Sequence, residues 1–395
     1  GQIVCLTGEA GVGKSRLLDE LQAFFAADIS ADRFGWVEGR GVSYDAARPY
    51  GVIMQIFRQI SGVRVDDAPE TAREKIRDQI LSYSPVPRES MAQALEILLA
   101  LTDGGDTPRP EGEALQQQLF KAFDTAWRHT TANIPLVAVH DDMQWADPAS
   151  VDLLLHLWQL VDSTPSVFIC SFRPQRESSA RRLQEAAARD HAASYTPLHL
   201  RSLPQEESMQ LLHNLLGEAQ MPQGLAARIL ERAEGNPFFM EEVVRGLLES
   251  ETLVQEGEEL RWRGKDNEAR MAIPTHVLSL LVARIDRLGK ETKQVAQLAA
   301  VIGRSFYERV LAQIVDPRLD LAQHLHELAQ MRLIQKEAGA QEAAFVFRQA
   351  MARDAAYQSL LHRQRRRTHR RVGEAMETIF AERLAEEAHQ LAYHF

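Results

Sequence analysis

Apolar and polar positions follow two rhythms along this chain, and the change between them marks its organisation. Up to residue 200, short apolar, β-branched runs at 3–6, 36–42, 136–140, 167–172 and 195–200 are separated by stretches with apolar residues at helical spacing, such as Leu17, Leu18, Leu21, Phe24 and Phe25. Runs of that length read as strands buried on both faces. Their alternation with helices predicts an α/β fold, a parallel sheet covered on each side. Between the second and third runs, helical patterns at 50–60, 68–83, 90–101 and 113–129 predict an insertion, broken by a Gly- and Pro-containing loop at 103–112.

Beyond Leu200 the strand rhythm stops. Helical spacing at 204–216, 224–234 and 237–249, with Pro or Gly at the edges, predicts a helical lid. A hairpin at 252–255 and 259–263, turning near Gly257, completes a unit over 201–270. Helices at 274–288, 290–302, 307–314 and 320–331 then lead to strands at 333–336 and 344–348 around Gly339, the order expected of a winged-helix domain over 271–349. From Met351 onward the pattern is helical, and residues 350–395 read as the start of a TPR-like helical repeat.

Composition narrows the class. A chain of 395 residues is too long for one ordinary core, so several domains are expected. The net charge of −10, from 55 acidic and 45 basic residues, suits a soluble protein and argues against wholesale polyanion binding. No apolar run approaches the roughly 18 residues of a membrane helix, and no charged and apolar leader opens the chain, which is read as cytoplasmic, without a membrane partner. Cys5 and Cys170 each lie in an apolar run and are expected to be buried free thiols. The histidines show no metal-ligand spacing. The chain opens at Gly1, directly before the first strand and without an initiator Met, and is read as a segment of a longer protein.

The sharpest chemical signal is Gly8-Glu9-Ala10-Gly11-Val12-Gly13-Lys14-Ser15, the phosphate-binding loop G-x-x-x-x-G-K-[ST]. Its four fixed positions arise by chance in about one chain of this length per hundred. A strand precedes it and a helix follows, the required setting. The glycines let backbone N–H groups curl around phosphates, Lys14 reaches the β and γ phosphates, and the Ser15 hydroxyl ligates Mg2+. Glu9, Ala10 and Val12 fill variable positions, Glu9 without a catalytic role, and Arg16 follows at the helix start. Residues 1–200 therefore read as a P-loop NTPase domain binding ATP or ADP with Mg2+.

The run Leu136–His140 ends in Asp141 and Asp142, the form of a Walker B segment. A carboxylate at the carboxyl edge of a strand beside the loop can hold Mg2+, the role assigned to Asp141. A second one can polarise the attacking water, which makes Asp142 the candidate general base. Arg173, at the end of the 167–172 run, is either a sensor of the γ-phosphate or a surface arginine before a turn.

Several strings then carry a resemblance. Asp141-Asp142-Met143-Gln144-Trp145-Ala146-Asp147, Ser171-Phe172-Arg173-Pro174 and Gly235-Asn236-Pro237-Phe238-Phe239 resemble the STAND class of AAA-related signalling ATPases. More narrowly, they resemble the ATPase modules behind bacterial class III adenylate or guanylate cyclase domains and in LuxR-type regulators. Ala272-Ile273-Pro274, Ala283-Arg284-Ile285-Asp286-Arg287-Leu288, Gln297-Leu298-Ala299-Ala300-Val301-Ile302-Gly303 and Asp354-Ala355-Ala356-Tyr357 extend it over nearly the whole chain. The resemblance implies that Asp141 binds magnesium, Asp142 acts in hydrolysis, Arg173 is the sensor and Pro237 packs near the adenine. Asn236 and Pro237 also satisfy a simple helix start as N-cap and N1, and both roles can hold together.

Two departures from the family pattern stand out. Where STAND relatives can use a winged-helix histidine toward the β-phosphate, this chain has Gln349, which cannot become cationic. Relatives also place a short adenine-contacting segment upstream of the first strand.

Other features have milder readings. Arg363, Arg365, Arg366, Arg367, Arg370 and Arg371 are expected on a solvated or interdomain helix face rather than on nucleic acid. Trp145 is read as a packing residue at the sheet edge, with sensing of nucleotide state as the alternative, and Met209, Met221 and Met240 as core or gap filling.

The expected function is an ATP-binding, slowly hydrolysing regulatory switch within a multidomain protein. Its partners are the other domains of that protein and, on activation, further copies. A LuxR-type winged-helix DNA-binding regulator is the alternative, weakened because 320–331 has no Lys or Arg, so nucleic acid is an unlikely partner. A non-hydrolysing scaffold is a third. Nothing in the segment performs cyclase chemistry.

Overall fold

The structure is a computed structural model. It describes the chain apart from residues 29–33, 42–48, 64–70, 72–73, 76–112, 175–178, 217–223, 257–258, 264–276, 337–342 and 382–390. The expected helix at 90–101, the loop at 103–112, most of the helix at 68–83, the Ala272-Ile273-Pro274 string, Met221 and the turns at Gly257 and Gly339 lie outside the described residues. The chain divides into two compact units, one of Gly1–Gly8, Lys14–His199 and Met376–Phe395, the other of Glu9–Gly13 and Leu200–Ala375.

The first unit is built on five parallel strands, β1 (Gln2–Thr7), β2 (Gly35–Arg40), β3 (Leu136–Asp141), β4 (Ser166–Phe172) and β5 (Tyr195–His199), ordered β2-β3-β4-β1-β5. Helices α1 (Lys14–Asp28), α2 (Gly51–Ile60), α3 (Glu113–Asn133), α4 (Pro148–Trp158) and α5 (Ser179–Asp190) connect them. This is the α/β fold that the alternation of strands and helices predicts, in the P-loop NTPase form that the Gly8–Ser15 motif predicts.

Strand pleating sends neighbouring residues to opposite faces. Ile3, Cys5, Leu136, Ala138, Phe168 and Cys170 join one core with α2, α3 and α4. Val137, Val139 and Ile169, one position out of phase, are buried outside that cluster. Both faces are therefore covered, which is why these strands read as unbroken apolar runs. Cys5 and Cys170 are free and buried, and burial pushes the Cys5 thiol up to about 12 against the lowering effect of a Tyr195 hydrogen bond.

In the second unit, α6 (Gln205–Leu216), α7 (Leu225–Ala233) and α8 (Pro237–Glu249) share a core of Leu212, Ile229, Phe239, Met240 and Val243, beside the hairpin β6 (Leu253–Glu256) and β7 (Glu259–Trp262). Then follow α9 (Val277–Arg287), α10 (Lys290–Ile302), β8 (Ser305–Tyr307), α11 (Glu308–Ile314), α12 (Leu321–Gln330), β9 (Ile334–Lys336), β10 (Ala344–Phe347), α13 (Ala350–Gln358) and α14 (His362–Ile379). The small antiparallel sheet has the order β8-β10-β9. Sequence reading anticipates β9 and β10 but not β8, whose three residues are too few to show a period and become a strand by pairing with β10.

Two packing expectations are overturned. Trp145 is 39% exposed on a single 3-10 turn, where Met143 takes the buried position instead. Met209 is likewise exposed on α6, whereas Met240 fills the core as expected.

Candidate functional site

The phosphate loop joins the carboxyl end of β1 to the first residue of α1, which is Lys14. Gly11 and Gly13 hold φ of +83° and +107°, a region costly for residues with a Cβ, and this curls the loop. The Lys14 side chain is buried and its ammonium donates to the Gly8 carbonyl at 2.6 Å. Ser15 and Arg16 are exposed on the first turn of α1, and Arg16 pairs with Glu20.

In the sheet order β3 lies two strands from β1, so its carboxyl end stands about 10 Å from the loop on the same edge. Asp141 closes β3 and is buried with both carboxylate oxygens engaged. Oδ2 accepts from Arg40 Nε at 3.0 Å, and Oδ1 accepts from the Asp142 N–H at 3.0 Å and from the Ser171 hydroxyl. Burial opposes the charge on Arg40, but Asp141, Glu38 and Asp142 outweigh it and raise the guanidinium above its ordinary value. Gly41 lets this corner close up, since a Cβ there would lie 2.6 Å from the Asp142 carbonyl.

Asp142 sits in the left-handed region at φ 54°, ψ 38°. Its Oδ1 accepts from Gln144 Nε2 at 2.9 Å, while Gln144 Oε1 accepts from the Arg173 backbone N–H at 3.1 Å. Arg173 directly follows β4 and is half-buried. The structure therefore gathers Lys14, Asp141, Asp142 and Arg173 along one edge of the sheet. It also adds Arg40, Gln144 and Ser171, which sequence reading passes over. The only hint of Gln144 is its place in the string after the acid pair.

The Ser15 hydroxyl and the Asp141 carboxylate are oxygen donors of the kind that would suit a hard divalent cation, with nucleotide phosphates as further ligands. Among the described residues no three His, Cys, Asp or Glu gather into a metal cage. Mg2+ here would be a shared ion rather than a caged one.

Glu9, Ala10 and Val12 lie in the loop tip with Gly11 and Gly13. Within that second unit, Asn236 donates from Nδ2 to the Ala10 carbonyl at 2.9 Å and caps α8 by accepting from the Phe239 N–H at 3.2 Å. Pro237 is the first residue of α8, so the helix-start role of this pair is realised.

Fold and loop define a P-loop NTPase domain, and comparison with known proteins shows what the chain is similar to. Residues 1–170 match the AAA ATPase domain family, and 204–261 match a domain of unknown function. An uncharacterized protein of Rhizobium meliloti (strain 1021) is 24% identical over 391 residues, covering 94% of this chain and 34% of its own length, so the chain spans about a third of that relative.

Among solved structures, a STAND protein with a tetratricopeptide repeat sensor from Pyrococcus horikoshii has a TM-score of 0.48 at 13% identity, covering 96% of this chain and 43% of that one. The ORC2 protein of Aeropyrum pernix, in ADPNP and ADP complexes, has a TM-score of 0.38 at 13% identity, covering 96% and 89%. No described helix is long and apolar enough to cross a membrane.

Proposed function

We propose that this chain is an ATP-dependent switch module, binding ATP with Mg2+ and hydrolysing it slowly, within a multidomain signalling protein. The observation that carries this reading is the buried Lys14, which follows the loop after β1 as the first residue of α1, at the sheet edge where β3 ends in the Asp141-Asp142 pair. Lys14 would bind the β and γ phosphates, with the glycine-curled N–H groups of the loop around them. Bound Mg2+ would supply charge neutralisation across the phosphates from Ser15 and Asp141. Asp142 would orient a water and accept its proton as the water oxygen attacks the γ-phosphorus and the bond to the ADP oxygen breaks. Arg173 would stabilise the charge that develops on the transferring group.

The motif resemblance supports a STAND-type setting beside a cyclase or LuxR-type output, with Pro237 near the adenine. Helices with the three-stranded antiparallel sheet support a winged-helix domain over 271–349, with the lid over 201–270 and a helical repeat from 350. The DNA-binding alternative is not favoured. Helix α12 carries no Lys or Arg, and its His324 is buried against Thr292. Calorimetry of ATP binding tests the core of the proposal. Lys14→Ala should abolish the binding seen with the unaltered chain, and equal affinity in the two would overturn the assignment.

A further inference from the structure

Gln144 is buried on the turn after β3, and its amide reaches two groups that are far apart in sequence. The Arg173 backbone N–H can only donate, so it fixes Oε1 toward the end of β4. That fixes Nε2 toward Asp142, whose Oδ1 must then accept. An amide oriented this way holds the carboxylate oxygen from one fixed direction. Asp142 is itself held at positive φ, where its side chain leaves the β3 edge at an angle that an extended residue would not give. Backbone and amide together set where the carboxylate points.

We propose that Gln144 is a positioning residue for hydrolysis, clamping the Asp142 carboxylate to the carboxyl end of β4 so that it stays aimed at the attacking water. This rests on the role given to Asp142 above. The clamp also ties Asp142 to the backbone of Arg173. A shift of the β4 end on loss of the γ-phosphate would then loosen the base at the same time.

Two substitutions separate this role from simple packing. Gln144→Met keeps the length of the side chain and removes both hydrogen bonds. Gln144→Glu keeps an acceptor for the Arg173 N–H but removes the donor and sets a second carboxylate against Asp142. ATP affinity by calorimetry and single-turnover phosphate release would be measured on the whole chain, with Asp142→Asn alongside. Both Gln144 variants should bind ATP as the unaltered chain does and release phosphate about tenfold more slowly, the weight of one hydrogen bond to a charged group.

Unaltered release in both variants, with Asp142→Asn inactive, overturns the clamp and leaves the role of Asp142 standing. A fall in affinity parallel to the fall in rate shows a merely structural residue and also overturns it. Phosphate release by Asp142→Asn equal to that of the unaltered chain, or none from the unaltered chain while ATP binds, removes the hydrolytic reading itself.

Discussion

The Arg40 guanidinium lies 2.9 Å from Asp141 Oδ2, joining the last residue of β2 to the last residue of β3 across a register pair. With Ser171 on the other oxygen, the expected magnesium ligand is held by protein partners on both sides. A cation binding Asp141 directly must displace Arg40 or share the carboxylate with it.

Arg40→Ala should therefore have two opposed effects. The Asp141 side chain is 2% exposed and that of Arg40 31%, so the pair is partly screened and its loss should cost about 1–3 kcal/mol of stability. The freed oxygen should in turn lower the Mg2+ concentration needed for ATP to raise the melting temperature. Thermal unfolding over a Mg2+ titration reads both. An unchanged Mg2+ midpoint would show that the ion does not compete with Arg40.

His140 precedes Asp141 on β3 but faces the opposite side of the sheet, stacked 6.3 Å from Phe168. It is wholly buried, and burial pulls its pKa down to about 4 against the raising effect of the Ala138 backbone. Folding thus favours neutral imidazole. The unfolded chain takes up the extra proton between the ordinary histidine value of about 6.5 and the folded value. Its contribution is complete above that range and is lost as pH falls toward 4, about 3 kcal/mol over the interval. His140→Leu should flatten the corresponding slope in denaturation measured from pH 7 to pH 4. A slope of the same steepness would place the acid sensitivity elsewhere.

What the sequence shows of this site depends on whether its partners are contiguous. The loop at Gly8–Ser15 is legible because its chemistry needs fixed identities at fixed spacing, and β3 because an apolar run ends in two acids. Arg40 and Ser171 lie far from Asp141 in the chain and meet it only through strand order and register, which a linear pattern does not carry. The turn after β3 fails differently. Both Met143 and Trp145 are large and apolar, and only the geometry of a single 3-10 turn decides that the first goes inside.

Arg284 shows the same limit in the second unit. Buried on α9, it pairs with Glu242 of α8, donates to Glu249 Oε1 at 2.7 Å, and donates to the Met331 carbonyl after α12 at 2.7 Å. Arg284→Met should cost about 3–5 kcal/mol, because buried Glu242 loses this partner and, among the described residues, keeps Arg245 at 2.5 Å. Replacing Glu242 by Leu as well should recover part of that loss, since a charge pair exchanged for apolar groups is often tolerated. Urea denaturation of the two single variants and the double variant measures the coupling. Strict additivity would show that the pair does not act as a unit.

Asn236 does two jobs with one amide, and they can be separated. Its Oδ1 accepts from the Phe239 N–H to cap α8, and its Nδ2 donates to the Ala10 carbonyl in the loop tip. The contact is close enough that a Cβ on Gly11 would stand 2.7 Å from Oδ1. Asn236→Asp keeps the cap, because Asp and Asn are nearly equal at that position, but removes the donor and turns a carboxylate toward a carbonyl and toward the phosphates. Asn236→Ser also keeps a capping oxygen, without the charge. Melting temperature should change little in either. ATP affinity should fall in both, by about five- to tenfold for Ser from one lost hydrogen bond, and further for Asp from the added repulsion. If both variants bind ATP as tightly as the unaltered chain, the amide serves the helix alone and the loop tip keeps its curl through its glycines.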